Sequence, residues 1–433
     1  MEIEELYRIF LAHPTVTTDS RDCLEGSIFF ALKGESFDGN QYALSALDKG
    51  CSYAVIDDQQ VADRADSRLI LVSDVLTTLQ QLARHHRRSL GTRVIGITGT
   101  NGKTTTKELI TAVLARKYSV LSTQGNFNNH IGVPKTLLRL TSQHDIAVVE
   151  MGANHPGEIR TLVGIAEPDY GIITNVGKAH IEGFGSFEGV IRTKAELYDY
   201  LRTKPSASIF INYDNLHLRP IATGLTHIAY GTQPDAALTL TGSVTACDPY
   251  LRFTWQGRGE ASQAVSTHLI GSYNIDNMLA AACIGQYFGV SAQQITEALA
   301  GYIPGNNRSQ LSDTADNHLI IDAYNANPTS MMAALTNYRD MAVAPKMAIL
   351  GDMRELGSIS QEEHQRVVDF LVENQLSDVW LVGEEFSKTQ STFRKFRDVE
   401  EVRQALAVSK PHGYYILIKG SNGTRLHQLP QYL

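Results

Sequence analysis

Apolar residues along this chain fall into short continuous runs alternating with runs spaced like one face of a helix. In the first part, "SIFFAL" and "YAVID" read as strands, and "GESFDGNQYALSALDKG" supplies a turn and then a helix. Val94, Ile95 and Ile97 suit a strand buried on both faces, and Thr104 to Leu114 carries helical spacing. The alternation continues through "IAVVEMG", "YGIITNV", a helix near 188 to 202, and "SIFINYD", which predicts a mostly parallel sheet with helices on both faces. From about 225 to 270 the pattern changes to short strands interrupted by polar residues, "LTLTGSVTA" and "YLRFTW". "GSYNIDNMLAAACIGQYFG" predicts a capped helix. "GYIPGNN", residues 301 to 307, combines Pro and Gly and reads as a linker. A last alternating unit follows, with strands "HLIIDAY", "MAILGD", "DVWLVG" and "YYILIKG". It has the outline of a small Rossmann-like domain without the G-x-G-x-x-G fingerprint, so a dinucleotide is not indicated.

The predicted fold is therefore α/β with three domains: an N-terminal α/β domain over 1–90, a central P-loop domain with a mostly parallel sheet over 91–305, and a C-terminal Rossmann-like domain over 306–433. A length of 433 residues agrees with roughly three domains. Hydrophobic content of 43% and charged content of 19% fit a soluble globular chain. The net charge of −8, without a long basic run, argues against nucleic acid as a partner, and "RHHRR" at 84 to 88 reads as a solvated helix face. No apolar run is long enough to span a bilayer, and "MEIEELYRIF" is acidic and amphipathic, unlike a signal peptide. Cys23, Cys51, Cys247 and Cys283 lack C-x-x-C spacing and read as reduced thiols, mostly buried, of a cytoplasmic protein.

The densest chemistry is "VIGITGTNGKTTTKEL", residues 94 to 109. Gly99 and Gly102 let the backbone turn sharply and approach a ligand. The free N–H groups of a helix N-terminus suit phosphate. Lys103 would reach terminal phosphates, and the Thr104 hydroxyl would hold Mg²⁺. The full pattern G-x-x-x-x-G-K-[ST] fails because Ile97 stands at its first glycine; the match is to the shorter G-x-x-G-K-T. A strand before and a helix after it favour nucleotide binding over a plain turn with a solvated lysine.

Glu150 ends the strand "IAVVE", at the edge where open α/β sheets place ligands, and suits a Mg²⁺ that bridges phosphates. A capping or exposed glutamate is the alternative. His180, in "ITNVGKAHIEGFGS", follows the next strand and reads either as a ligand or as a hydrogen-bonded loop residue. Of Asn274 and Asn277, one caps the following helix and the other remains to be explained. Arg308 and Asp322 could close over a nucleotide or make ordinary interdomain contacts. Lys194 lies two residues from Glu196 on "GVIRTKAELYDYL", a spacing that does not pair side chains on a helix.

In chain order, "GITGTNGKTTT", "NFNNHIGVP", "VVEMGANHPGEI", "ITNVGKAHIEGFGS", "TKAELYDYL", "GSYNIDNMLAA", "NRSQ" and "DAYNANPTSM" resemble the ATP-dependent Mur ligases, and most closely the branch that adds D-alanyl-D-alanine. The resemblance implies a cell-wall ligase that joins this dipeptide to UDP-MurNAc-tripeptide through an acyl phosphate, acting as a cytoplasmic monomer. It implies that Gly99, Thr100, Asn101, Gly102, Lys103, Thr104, Thr105 and Asn126 serve ATP phosphates. Asn274 and Asn277 would meet adenine, Arg308 a phosphate and Asp322 the ribose. Two Mg²⁺ would be held by Thr104, Glu150, His180 and a carbamylated Lys194; Lys103, Glu150, His180 and Lys194 would be catalytic. Ser20 and Arg21 would lie near the uracil nucleotide, making 1–90 the UDP-substrate domain. Asn128, Asn129, Asn325 and Asn327 would contact substrate, the last two near the dipeptide. "KGSNGTRL" departs from the family pattern, with Asn422 in place of an arginine. Folylpolyglutamate synthase or another Mur ligase is the nearer rival reading, and a P-loop nucleotide switch or partner-binding protein the farther; "DAYNANPTSM" and "ALKGESFDG" argue against the first, and Lys194, Arg308 and Asp322 against the second.

Overall fold

The computed structural model describes residues 1–64, 66–305 and 307–433; of the linker read at 301 to 307, Asn306 lies outside the described residues. Three sheets organise the chain. The first has four parallel strands, Val16–Thr17, Ile28–Phe30, Tyr53–Ile56 and Leu69–Leu71. Helix Val75–Leu90 follows. Asp74 accepts from Thr77 N at 2.6 Å to start it, and Gly91, at φ 66°, ends it in the left-handed region.

The central sheet runs in the order Gln263–Ile270, Tyr250–Gly257, Leu238–Cys247, His227–Gly231, Ser208–Asn212, Tyr170–Ile173, Arg93–Thr98, Ile146–Glu150, Val120–Ser122. Its P-loop strand, Arg93–Thr98, lies between two parallel neighbours. Residues alternate across that strand. Ile95 and Ile97 join the core formed with Leu109, Val113, Met278 and Ala281, while Val94 joins the core on the opposite face with Leu162 and Leu197. The segment from 238 to 270 differs from its reading as short strands. It forms three antiparallel strands of 10, 8 and 8 residues that extend the central sheet. Leu240, Leu251, Phe253 and Trp255 are buried in the same core as Met278 and Leu279 of helix Ile275–Tyr287, so the polar interruptions are the outward-facing half of an alternation.

The third sheet runs Gln310–Asp313, His318–Asp322, Tyr415–Lys419, Lys346–Gly351, Val379–Val382, Arg394–Phe396, antiparallel only at its first pair. Among the described residues no helix is long and apolar enough to cross a membrane. The four cysteines are free, with Cys51 and Cys283 buried and Cys23 and Cys247 half-buried.

The "RHHRR" segment is solvated only at Arg84 and Arg88; His86 and Arg87 are buried. Arg87 is 9% exposed; its Nε donates to Ala166 O at 3.2 Å and its Nη2 to Glu167 O at 2.9 Å and Asp169 Oδ2 at 2.8 Å. Arg84 and Arg88 both bond the Glu167 carboxylate, and His86 Nε2 meets Leu140 O at 2.9 Å. These cations satisfy the carbonyls at the end of helix Glu158–Ala166 and complement its dipole. Their partners lie some 80 positions along the chain, out of reach of a local pattern. Arg87→Ala leaves Asp169 and two carbonyls short of a donor, and should cost roughly 3 kcal/mol. Arg84→Ala, at a side chain 46% exposed, should cost under about 1 kcal/mol. Thermal unfolding of the two variants beside the parent checks the ranking; equal losses would contradict it.

Candidate active site

The turn between strand Arg93–Thr98 and helix Lys103–Leu114 demands its glycines. Gly99 has φ 142°, and a Cβ there would stand 2.0 Å from Thr174 Oγ1. Gly102 has φ 77°, and its Cβ would stand 2.5 Å from Asn277 Oδ1. The loop is pinned from outside: Thr100 N donates to Asn175 O at 2.9 Å, Asn101 N to Asn175 Oδ1 at 3.0 Å, and Thr174 Oγ1 to Asn101 O at 2.7 Å. Lys103 Nζ donates to Gly99 O and Thr100 O, both at 2.9 Å. Desolvation pulls its pKa down to about 8, against the attraction of Glu150 and with the repulsion of Arg308.

Glu150 is 1% exposed, which rules out the exposed or capping alternative. Its Oε1 accepts from Asn128 Nδ2 at 2.9 Å and Thr104 Oγ1 at 3.3 Å. Its Oε2 is buried without a hydrogen-bond partner among the described residues, and the nearest cation is Lys107 Nζ at 4.0 Å. Lys194, on helix Phe187–Arg202, is 2% exposed. Its Nζ has one hydrogen bond, to Ala153 O at 3.3 Å, and lies 5.3 Å from the Phe184 ring centre. Burial, and then the Lys103 charge, push its pKa well below the ordinary lysine value. Glu196 is engaged elsewhere, accepting from Gly157 N at 2.9 Å and Arg160 N at 2.8 Å at the start of helix Glu158–Ala166.

These groups surround a cavity of about 1010 Å³. Its wall takes in the P-loop from Thr100 to Thr105, with Asn126, Asn128, Asn129, Glu150, His180, Asn274, Asn277, Arg308, Asp322, Asn325 and Asn327. Gly99 and Lys194 stand behind the wall, Lys194 reaching Ala153, which is part of it. Ser20 and Arg21 are not part of it: Ser20 O accepts from Lys49 Nζ at 2.8 Å, and the exposed Arg21 pairs with Asp19. Asn129 Oδ1 accepts from Ile131 N and Gly132 N at the start of helix Gly132–Leu137. Neither Asn274 nor Asn277 caps the following helix by its side chain. Asn274 Nδ2 donates to Ile270 O, Asn277 Nδ2 to Asn274 Oδ1, and Thr106 Oγ1 to Asn277 Oδ1, so the pair ties that helix to the P-loop helix.

The third sheet contributes Arg308, whose guanidinium lies 3.7 Å from the Tyr324 ring centre and whose buried Nε has no partner among the described residues. Asp322 pairs with Lys419 at 2.5 Å. Asn327 Nδ2 donates to Asn101 Oδ1 at 2.7 Å, a direct bond from the third domain to the P-loop. His180, at φ 51°, holds its Nδ1 against Glu355 Oε2; burial lowers its pKa although Glu355 opposes this.

The order of these parts along the chain matches a known family. The model for "Mur ligase family, catalytic domain" matches residues 14–87, "Mur ligase middle domain" residues 97–285, and "Mur ligase, glutamate ligase domain" residues 307–422. The UDP-N-acetylmuramoyl-tripeptide–D-alanyl-D-alanine ligase of Bacillus subtilis (strain 168) is 34% identical, over 99% of this chain and 96% of its own. The chain is a Mur ligase. The similarly named ligase of Escherichia coli (strain K12) is 33% identical over 96% of this chain and 92% of its own. Among solved structures, MurF from Acinetobacter baumannii superposes with a TM-score of 0.85 at 29% identity, over 96% of this chain and 92% of that one. The MurF ligase from Thermotoga maritima in complex with ADP gives 0.86 at 26%, over 98% and 97%. Folylpolyglutamate synthase from Thermotoga maritima, at 13% identity and a TM-score of 0.58, shares the fold alone. The three-domain Mur ligase fold is thus established for this chain.

Several residues of this Mur ligase's cavity escape a reading of the sequence. Lys419 was legible in principle, as a polar end to the strand "YYILIK" beside the strand of Asp322. Asn175 in the wall, and Lys107 and Glu355 beside it, carry no local signal. Asp276 is another: it lines the cavity, and desolvation, with the Asp214 charge, raises its pKa to about 6 against a hydrogen bond from Asn212. Its folded pKa lies above the unfolded value, so the folded state binds the extra proton between about pH 4 and 6. Stability attributable to this group is therefore highest at low pH and falls as pH rises through 6. Asp276→Asn should stabilise the protein by roughly 1–2 kcal/mol at pH 7.5, discounted for partial exposure, and by nothing near pH 4. Urea unfolding at the two pH values checks this; a gain that does not depend on pH would contradict it.

Proposed function

We propose that this Mur ligase joins D-alanyl-D-alanine to UDP-MurNAc-tripeptide, converting ATP to ADP and phosphate. The observation that carries the reading is the buried Glu150 in the wall beside the P-loop, with the buried Lys194 behind it, in a chain 34% identical to a ligase named for this reaction. The ADP complex of the Thermotoga maritima MurF supports ATP as the nucleotide.

Carboxylate oxygen is a poor leaving group, so direct amide formation stalls. The tripeptide carboxylate attacks the γ-phosphorus, ADP leaves, and an acyl phosphate results. Lys103 gives up its two loop carbonyls for phosphate oxygens, which restores the charge that burial weakens. Arg308 and the Asn274–Asn277 pair orient the nucleotide, and Asp322, steadied by Lys419, meets the ribose. The dipeptide amine then adds to the acyl carbon and phosphate is expelled. Asn101–Asn327 and His180–Glu355 draw the third domain onto the loop, which keeps water from the acyl phosphate.

Glu150 Oε2, the Thr104 hydroxyl and His180 fit Mg²⁺. The carboxylate oxygen is buried and unpartnered, and Glu355 holds His180 by Nδ1, which leaves Nε2 available. Bound there, Mg²⁺ supplies positive charge between the two anions. Lys194 completes the set as a carbamate. An amine held neutral by burial can add CO₂ with release of one proton, and the carbamate oxygens so formed would suit Mg²⁺.

Three experiments test this reading. Phosphate release should require ATP, UDP-MurNAc-tripeptide and D-alanyl-D-alanine together; release without the dipeptide, or with a folate instead, would sink it. Lys103→Ala should abolish turnover. Lys194→Ala should lose most activity and regain part of it with millimolar formate or acetate, which stand in for the carbamate oxygens. Full activity of Lys194→Ala at low bicarbonate without added acid would return Lys194 to a packing role.

A further inference from the structure

A second cavity, of about 990 Å³, opens at the carboxyl ends of strands Lys346–Gly351, Val379–Val382, Arg394–Phe396 and Tyr415–Lys419. This is the edge at which parallel sheets bind ligands. Four arginines line it: Arg354, Arg397, Arg403 and Arg425. Arg397 pairs with Asp398 and Glu401, and Arg403 with Glu400. Arg354 and Arg425 have no carboxylate partner among the described residues, although acids are abundant in the same wall. The Arg354 side chain has one hydrogen bond, Nη2 to Gly423 O at a long 3.5 Å. Its guanidinium lies flat on that loop: a Cβ at Gly423 would stand 2.3 Å from Arg354 Cζ.

Arg354 also stands at the seam between the two cavities. Its N donates to Ser421 Oγ at 3.0 Å, and Ser421 Oγ donates to Ala326 O at 3.3 Å. Ala326 lies between Asn325 and Asn327, which line the first cavity. The next residue, Glu355, lines the second cavity and bonds His180 in the first.

The nucleophile of the proposed reaction brings a requirement of its own. Its amine must enter the first cavity, while its other end is a carboxylate. Two extended residues span about 7 Å, and the two cavities adjoin through Arg354, Ser421 and Ala326. In the first cavity Lys419 pairs with Asp322, and on the reading above Lys103 and Arg308 serve the nucleotide. A carboxylate meeting Glu355, Glu384 and Asp352 is repelled unless a free cation receives it.

Resting on the ligase reading above, we propose that Arg354 determines specificity for the incoming dipeptide by receiving its terminal carboxylate, with residues 421–424 as the floor of that subsite. Guanidinium and carboxylate match as a two-bond fork, which selects a free C-terminus at a fixed distance from the amine.

The test compares D-alanyl-D-alanine with its C-terminal amide as nucleophile, in the parent, Arg354→Ala, Arg354→Lys and Arg425→Ala, with folding checked by thermal unfolding. The parent should prefer the acid by about 10- to 100-fold in kcat/KM, the size of a charge-assisted hydrogen-bond pair. Arg354→Ala should raise KM for the acid by a similar factor, leave KM for ATP within twofold, and treat acid and amide alike. Arg354→Lys should retain an intermediate preference. A merely structural role would lower both nucleophiles together and leave the ratio intact, which overturns the proposal. So does a parent without preference, or a preference lost only in Arg425→Ala. A parent that uses neither nucleophile refutes the ligase reading itself, and the proposal with it, before any variant is compared.

Discussion

Two opposite charges are buried beside the P-loop without being paired to each other: Glu150, whose Oε2 has no hydrogen-bond donor, and Lys194, whose Nζ has a single carbonyl. Either group alone costs several kcal/mol when desolvated. Had they met as an ion pair, the cost would have been reduced and the site closed. Instead, Glu196, the one acid on the neighbouring turn, is spent on the start of helix Glu158–Ala166, and Lys194 is left among Phe184 and carbonyl oxygen. The acid keeps a buried oxygen without a hydrogen-bond donor, and burial keeps the amine well below the ordinary lysine pKa. Two continuous apolar cores, one on each face of the central sheet, hold strand and helix rigid enough to keep these groups apart.

What could be read from the sequence was what depends on neighbours in the chain. Gly99 and Gly102 were legible because a strand that must become a helix within five residues needs left-handed backbone at fixed places. Glu150 was legible as the polar end of a buried run, and its burial then followed from the sheet. The strands after residue 238 were legible as strands but not in length, because their outward faces carry the polar residues that looked like interruptions. Lys194 was legible only negatively, as a lysine whose nearest acid lies at the wrong spacing.

What could not be read depends on partners far along the chain. "RHHRR" has the composition of a solvated face, and only the fold brings the carbonyls of Ala166 and Glu167 to it. Asn274 has the identity and position of a cap, yet its side chain turns back to Ile270 O because Asn277 needs its oxygen. Glu355 meets His180 across a separation of 175 residues, and nothing near either marks the other.

The way the domains are joined follows the same division. Leu6, Phe10, Ile28, Phe30 and Val55 of the first sheet and its helices share one apolar core with Val94, Leu121, Val149 and Leu162 of the central sheet. The third sheet keeps cores of its own, and Ile270 is the one fully buried residue of the central sheet among them. Around the cavity it meets the central domain through polar contacts: Asn101–Asn327, His180–Glu355, and Lys178–Glu363 at 2.7 Å. Separating an apolar core exposes it to water, whereas these polar contacts, although Asn327 and Glu363 are buried while the domains are closed, regain hydrogen bonds to water when they part. Opening therefore falls at the third domain. Asn101 and Lys103 belong to the P-loop and His180 and Glu355 to the contact beside it, so on the reading proposed above phosphate enters next to the contacts between the domains. On that reading, the loop that receives phosphate and the contacts that close the third domain are built from adjacent residues, so occupancy of one would bias the state of the other.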